Sequence, residues 1–148
     1  MIRDPLESLL RLRRLAVDEA RRELGACLRA EGEATRAVAA IEEAIGRELA
    51  AAADLAKGDA DVEAFGVWLR RIRPKQKAAE AAETAAEAET VRARAVLSAA
   101  RAAVRAAEVM LEKHEAARAA QQEHQAQNQI DEVAQRCGNQ DPANEGSP

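Results

Sequence analysis

The feature that most constrains this chain is a seven-residue repeat of apolar and small side chains in its first third. One series of positions, spaced by seven, holds Leu10, Val17, Leu24, Glu31, Val38, Ile45 and Ala52. The second series holds Leu6, Arg13, Ala20, Cys27, Ala34, Ile41 and Leu55, with Glu48 as a misfit. Two such series sustained over about seven heptads are typical of a coiled-coil helix.

A second, thinner repeat occupies the later part of the chain. Leu97, Val104 and Leu111 lie seven apart, and the alternate positions hold Ala79, Ala86, Ala93, Ala100 and Ala107. After Leu111 the same positions become polar, in the order His114, Arg118, Gln121, Gln125 and Asn128. We therefore expect the end of this helix to extend past its partner as an overhang. A short apolar stripe reappears there at Ile130, Val133, Ala134 and Cys137.

The two repeats are separated by a break at residues 57–74, which also holds both aromatic residues. Gly58 suits a left-handed helix cap, and Lys57 suits the negative end of a helix. Helical spacing of Phe65, Trp68, Leu69 and Ile72 predicts a short helix, which Pro74 either kinks or ends.

The fold predicted from these patterns is all-α, a long antiparallel two-helix coiled-coil hairpin with a short helical segment at the turn. Its parts are a helix over 5–56, a turn and short helix over 57–74, and a helix over 75–136. Asp4, Pro5 and Glu7 form a capping box at the start. Residues 1–137 would form one hairpin domain, and residues 138–148 a disordered tail.

Composition excludes several classes of protein. Aromatic residues make up 1% of the chain and charged residues 32%, which is the profile of a long helix and not of a globular core. The net charge of −4 comes without a basic block or an aromatic platform, so we expect no nucleic-acid partner. We recognise no signal peptide and no apolar run long enough for a membrane span. The expected location is cytoplasmic, with no direct membrane insertion.

The residues that usually carry chemistry are scattered. His114 and His124 lie ten apart, and neither is near a cysteine in a metal-binding spacing. Cys27 and Cys137 are isolated, and the hairpin would keep them apart. Carboxylates are matched by arginines at helical spacing, as in Asp18 and Arg22. We therefore predict no catalytic site, no metal, no cofactor and no enzyme activity.

Two apolar patches are candidates for partner binding. The first is the aromatic segment at the turn, which alternatively only caps the coiled coil. The second is the stripe at Ile130, Val133 and Ala134, which alternatively is a fraying helix end. Leu9, Leu12 and Leu15 widen the apolar surface near the N-terminus, where they either help to bind a partner or pack against the second helix.

Residues 6–25, LESLLRLRRLAVDEARRELG, resemble the start of the FliJ family, the small coiled-coil proteins of the flagellar type III export apparatus. Residues 130–136, IDEVAQR, are similar to that family's C-terminal motif of an apolar residue, Asp-Glu, one variable residue and Ala. The aromatic segment 65–72 lies where the family has its own midpoint cluster. The resemblance covers residues 1–137.

The resemblance implies an antiparallel hairpin similar to the central stalk of rotary ATP synthases. It implies a protein that binds the export ATPase FliI as a hexamer and promotes its assembly and activity. The other implied partners are the gate protein FlhA, FliH and the export chaperones, at the cytoplasmic face of the inner membrane. The implied contacts to the export gate are Phe65, Trp68, Leu69 and Ile72. The implied contacts to the ATPase are Leu9, Leu12, Arg13, Arg14, Asp18, Arg21, Arg22, Ile130, Asp131, Glu132, Val133 and Arg136.

Two other interpretations remain open from the sequence. One is a structural coiled coil unrelated to export, for example a homodimer of long helices. The other is a helical chaperone or a surface-coating protein with amphipathic arms, although these arms lack the large aromatic residues that anchor interfacial helices.

Overall fold

The computed structural model of the protein describes residues 5–54 and 58–138. It contains two helices, α1 at Pro5–Ala52 and α2 at Asp59–Gly138, and no strand within the described residues. Four sequence predictions fall outside those residues. They are the N-cap at Asp4, the seam position Leu55, the capping role of Lys57 and the disordered tail beyond Gly138.

The heptad repeat predicted for α1 is confirmed by burial. All seven positions of the series from Leu10 to Ala52 are buried or half-buried. The described positions of the second series are likewise covered, except Arg13 and Glu48, which are exposed. One face of α1 therefore packs over its whole length, as expected for a helix stabilised by a partner.

The packed face of α2 is more regular than its sequence indicates. From Phe65 to Leu111, covered residues recur alternately four and three apart without a break. In chain order these positions are 65, 69, 72, 76, 79, 83, 86, 90, 93, 97, 100, 104, 107 and 111. They include the alanines and leucines predicted for the seam, and also three polar residues, Gln76, Glu83 and Thr90. A spacing that averages 3.5 residues is that of a coiled-coil seam.

By spatial contacts the chain divides into two compact units, one of residues 12–103 and one of residues 1–11 with 104–148. Within the 12–103 unit, residues 20–27 of α1 lie beside residues 89–96 of α2. Residues 48–52 of α1 lie beside residues 61–68 of α2. Residue numbers rise along one helix as they fall along the other, so the two helices are antiparallel there.

The other unit holds the first described residues of α1 and the last part of α2. Leu10 and Ala107 are buried within it. Every residue from 112 to 138 is exposed, in agreement with the overhang expected where the seam turns polar. The all-α two-helix hairpin is thus confirmed, whereas a single domain over residues 1–137 stays a prediction.

Helix α1 is shorter than predicted. Helix α1 ends at Ala52 and not at residue 56, and its last turn closes with a 3.0 Å hydrogen bond from the Ala53 amide to the Leu49 carbonyl. Leu49, Ala50 and Ala51 are exposed, so little packing holds the helix beyond this point. Gly58 has a φ of 81°, the left-handed conformation predicted for it, but it directly precedes α2 and does not cap the end of α1.

The sequence left open whether Pro74 kinks or ends the helix that carries the aromatic residues. In the structure α2 continues through Pro74 from Asp59 to Gly138, so that segment is the first part of α2 and not a separate element. Pro74 lacks an amide hydrogen and costs about 3 kcal/mol inside a helix. Its side chain is exposed, and the half-buried Ile72 and Gln76 on either side keep the seam spacing. Packing against α1 on both sides of the proline therefore outweighs the local penalty.

We expect Pro74→Ala to raise the free energy of unfolding by about 1–3 kcal/mol, since alanine restores the amide hydrogen bond and removes the ring clash. Urea unfolding followed by circular dichroism at 222 nm measures the change. Lys75→Ala, at the adjacent exposed position, is the control and should stay within about 0.5 kcal/mol of the parent. If Pro74→Ala is no more stable than the parent protein, the helix is not continuous through residue 74 in solution.

Thr90 is the most deeply buried polar residue that the structure describes, with 2% of its surface exposed. Its Oγ1 has no hydrogen-bond partner among the described residues. An unsatisfied buried hydroxyl costs about 1–3 kcal/mol.

Thr90→Val should therefore stabilise the protein by about 1–2 kcal/mol, because valine has the same shape without the unpaired hydroxyl. Thr84→Val is the matched control on the same helix. The Thr84 hydroxyl is exposed and donates to the Glu80 carbonyl at 3.0 Å, so its removal should be close to neutral. Equal effects of the two substitutions in thermal unfolding would contradict this account.

Candidate functional site

The aromatic segment near the start of α2, here called the tip cluster, consists of Phe65, Trp68, Leu69 and Ile72. All four side chains are half-buried. Phe65, Leu69 and Ile72 occupy seam positions, so their apolar character has a packing role. Trp68 lies outside the seam spacing and stacks on Phe65, with ring centroids 6.0 Å apart and planes 25° apart. The tip cluster therefore combines packing with surface that remains open to a partner.

Beside the tip cluster, the two helices line an open surface cavity of about 270 Å³, here called the tip cavity. The lining residues come from the end of α1 and the start of α2. They are Glu48, Ala51, Ala52, Asp61, Ala64, Phe65 and Trp68. Two aromatic rings and two carboxylates therefore line the same cavity.

The sequence analysis assigned no functional role to Glu48 or Asp61. The available signal was Glu48, a charged residue at a seam position where the repeat predicts an apolar one. Neither carboxylate has an ion-pair or hydrogen-bond partner for its side chain within residues 5–54 and 58–138. The nearest arginine in sequence, Arg47, is engaged elsewhere, because its Nη1 lies 2.8 Å from Glu43 Oε1.

The N-terminal residues predicted to contact the ATPase are mostly exposed. Leu9 is half-buried in the unit that contains residues 1–11, whereas Leu12 is 63% exposed. The charged members of the set, all exposed, are Arg13, Arg14, Asp18, Arg21 and Arg22. This surface is basic with isolated leucines.

The ion pair predicted between Asp18 and Arg22 forms differently. Arg21 Nη1 lies 3.4 Å from Asp18 Oδ1, and Arg22 Nε instead donates to the Asp18 backbone carbonyl at 3.2 Å. Such exposed pairs contribute little to stability, so these side chains can reorient toward a partner at small cost.

The C-terminal residues predicted to contact the ATPase lie on the exposed part of α2. Ile130 and Val133 are 61% and 59% exposed. With Ala126 and Gln129 they line a shallow groove of about 360 Å³, here called the overhang groove. An exposed pair of large aliphatic side chains on one helix face is a candidate protein-binding surface.

Charged residues flank the overhang groove and pair along the helix. Gln127 Nε2 donates to Asp131 Oδ1 at 3.1 Å, and Arg136 Nη2 lies 3.9 Å from Glu132 Oε2. Both are exposed pairs spaced four residues apart, which stabilise an isolated helix by a few tenths of a kcal/mol. They help to keep α2 helical where no covering partner is described.

The described residues offer two surfaces suited to binding a partner. They contain no group of three or more His, Cys, Asp or Glu placed to hold a metal ion. Neither helix, over the residues described, is long and apolar enough to cross a membrane. Cys27 is half-buried, Cys137 is exposed, and both thiols are free.

Comparison with protein families gives one finding that covers almost the whole chain. The family described as the flagellar FliJ protein matches residues 2–142 of the 148. Comparisons with curated proteins and with solved structures returned no match. The match spans both helices, the tip cluster and the overhang groove. The chain therefore belongs to the FliJ family, whose members are components of the flagellar protein export apparatus.

Proposed function

We propose that this protein is a non-enzymatic adaptor of the flagellar type III export apparatus, similar in role to a central stalk. It binds the hexameric export ATPase FliI, promotes its assembly and activity, and couples it to the export gate FlhA and to export chaperones, with FliH as a further partner. The observation that carries the proposal is the family match over residues 2–142 of a two-helix hairpin.

The proposal assigns ATPase contacts to the exposed part of α2 and, separately, to the N-terminal segment of α1. Support comes from the overhang groove, because Ile130 and Val133 expose aliphatic surface that a solvated helix does not need. Asp131, Glu132 and Arg136 add charge beside it. Apolar anchors surrounded by charged residues are the usual composition of a protein interface.

The gate-binding surface in this proposal is the tip cluster. Its support is the position of Trp68, which is half-buried yet outside the seam. Tryptophan is enriched among the residues that dominate binding energy. Through the gate, the protein would be held peripherally at the cytoplasmic face of the inner membrane without inserting into it.

The first test concerns the ATPase. Ile130→Ser with Val133→Ser should weaken binding to hexameric FliI by about tenfold or more, since each residue is proposed as an apolar anchor. Because both side chains are exposed, the free energy of unfolding should change by less than about 0.5 kcal/mol. A pull-down with the ATPase and its rate of ATP hydrolysis are the measurements.

Val91→Ser with Val96→Ser is the matched control for this variant. These valines lie on the same helix with exposures of 63% and 59%, outside the overhang groove. They should leave binding and stimulation unchanged. If the parent protein neither binds nor stimulates the ATPase, the proposal fails and only a structural coiled coil remains.

The second test concerns the gate. Trp68→Ala with Ile72→Ala should weaken binding to FlhA by at least about tenfold while the protein stays helical. Because Ile72 packs in the seam, some loss of stability is also expected. Ile41→Ala removes a comparable half-buried seam residue from α1 and serves as the stability control. If Ile41→Ala weakens binding as much, the tip cluster has a structural role only.

A further inference from the structure

The tip cavity has an unusual lining for a site at the end of a coiled coil. Two carboxylates, Glu48 and Asp61, share it with the stacked rings of Phe65 and Trp68. Neither carboxylate is paired within the described residues, so two like charges border the same cavity without a counter-ion from these parts of the chain. Both carboxylates are exposed, and both would attract a cation that enters the cavity.

The volume and lining of the tip cavity suit the head group of a side chain better than a metal ion. At about 270 Å³ it lies below the range of roughly 300–1,000 Å³ typical of sites for drug-sized ligands. It has room for the head group of one long side chain with some water. A divalent metal ion is a poor fit, because Ca²⁺ takes about six to eight oxygen ligands and two aromatic rings supply none.

The aromatic part of the lining favours a guanidinium over an ammonium group. A planar guanidinium stacks on an aromatic face and forms bidentate hydrogen bonds with carboxylates. Glu48 and Asp61 approach the cavity from different helices, so one guanidinium can be held between α1 and α2.

The charge of the surrounding sequence is complementary to such a ligand. From residue 48 to residue 69 the acidic residues are Glu48, Asp54, Asp59, Asp61 and Glu63, and the only basic residue is Lys57. A local excess of negative charge attracts a cationic group before contact is made and disfavours an acidic one.

We propose that the tip cavity is a recognition site for an arginine side chain presented by a partner protein, held by Glu48 and Asp61 against Phe65 and Trp68. This inference extends the proposed function and rests on one part of it, namely that the tip cluster contacts a protein partner.

The test uses the full-length protein and its own fluorescence. Trp68 is the only tryptophan and the chain has no tyrosine, so indole emission reports on the tip cavity alone. The probe is the capped peptide Gly-Arg-Gly, titrated at constant ionic strength. Gly-citrulline-Gly, which has the same shape without the charge, is the control probe. We expect a saturable change with the arginine peptide and none with the citrulline peptide.

Variants then test which carboxylates hold the probe. Glu48→Gln and Asp61→Asn should each weaken binding by about two- to fivefold, and more in combination. Glu63→Gln removes the same charge nearby from an exposed residue that does not line the cavity, so it reports the general effect of charge and should weaken binding less than either cavity substitution. Circular dichroism confirms that each variant remains helical.

Three results would overturn the arginine site. They are no saturable change in the parent protein, equal binding of the citrulline peptide, or an equal loss in Glu63→Gln and Glu48→Gln. These outcomes are separable from a failure of the proposed function, because peptide binding needs no export component. A protein that binds FlhA but not the peptide would retain the adaptor role and lose this site.

Discussion

The structure depends on the narrow face that each helix buries, because few large apolar side chains are buried among the described residues. The buried hydrophobic residues are Leu10, Val17, Ala20, Val38, Ala93, Leu97 and Ala107, of which three are alanines. An alanine buries little apolar area, but it lets neighbouring backbones approach closely and gain dispersion contacts. Because each contact is small, stability must be distributed along the seam. The 3.5-residue spacing of α2 therefore has to continue even where a residue is unfavourable, as at Pro74 and Thr90.

Most of the fold follows from the sequence because its repeat is local information. The seam of α1, the left-handed Gly58 and the exposed segment after Leu111 all follow from residue spacing. The continuity of α2 through Pro74 does not follow from the sequence. A proline inside a helix costs about 3 kcal/mol locally, and packing against α1, which outweighs that cost, is known only from the structure. The polar seam residues Gln76, Glu83 and Thr90 were missed for a related reason. Their positions are fixed by neighbours three and four residues away and not by their own hydrophobicity.

The sequence predicts the aromatic residues of the tip cavity but not its carboxylates. Phe65 and Trp68 stand out by composition, since the chain has one Phe, one Trp and no Tyr. Glu48 and Asp61 do not stand out in the sequence. They belong to different helices, and only the register between α1 and α2 shows that they line the same cavity. An exposed carboxylate in a charged helix is ordinarily a solvated surface residue. Glu48 and Asp61 differ from such residues because they line a cavity between two helices. Residue spacing along a single helix cannot predict a cavity of this kind.

The tip cluster separates into residues that the fold explains and one that it does not. Phe65, Leu69 and Ile72 occupy seam positions, so packing accounts for their apolar side chains. Trp68 lies outside the seam. The sequence before it, from Glu48 to Glu63, is mainly acidic, and the sequence after it is basic, with Arg70, Arg71, Arg73, Lys75 and Lys77. These opposite charges do not neutralise one another throughout, since Arg73 donates to Gln76 while Glu48 and Asp61 stay unpaired among the described residues. A partner that matches both signs across Trp68 is therefore fixed in orientation as well as in identity.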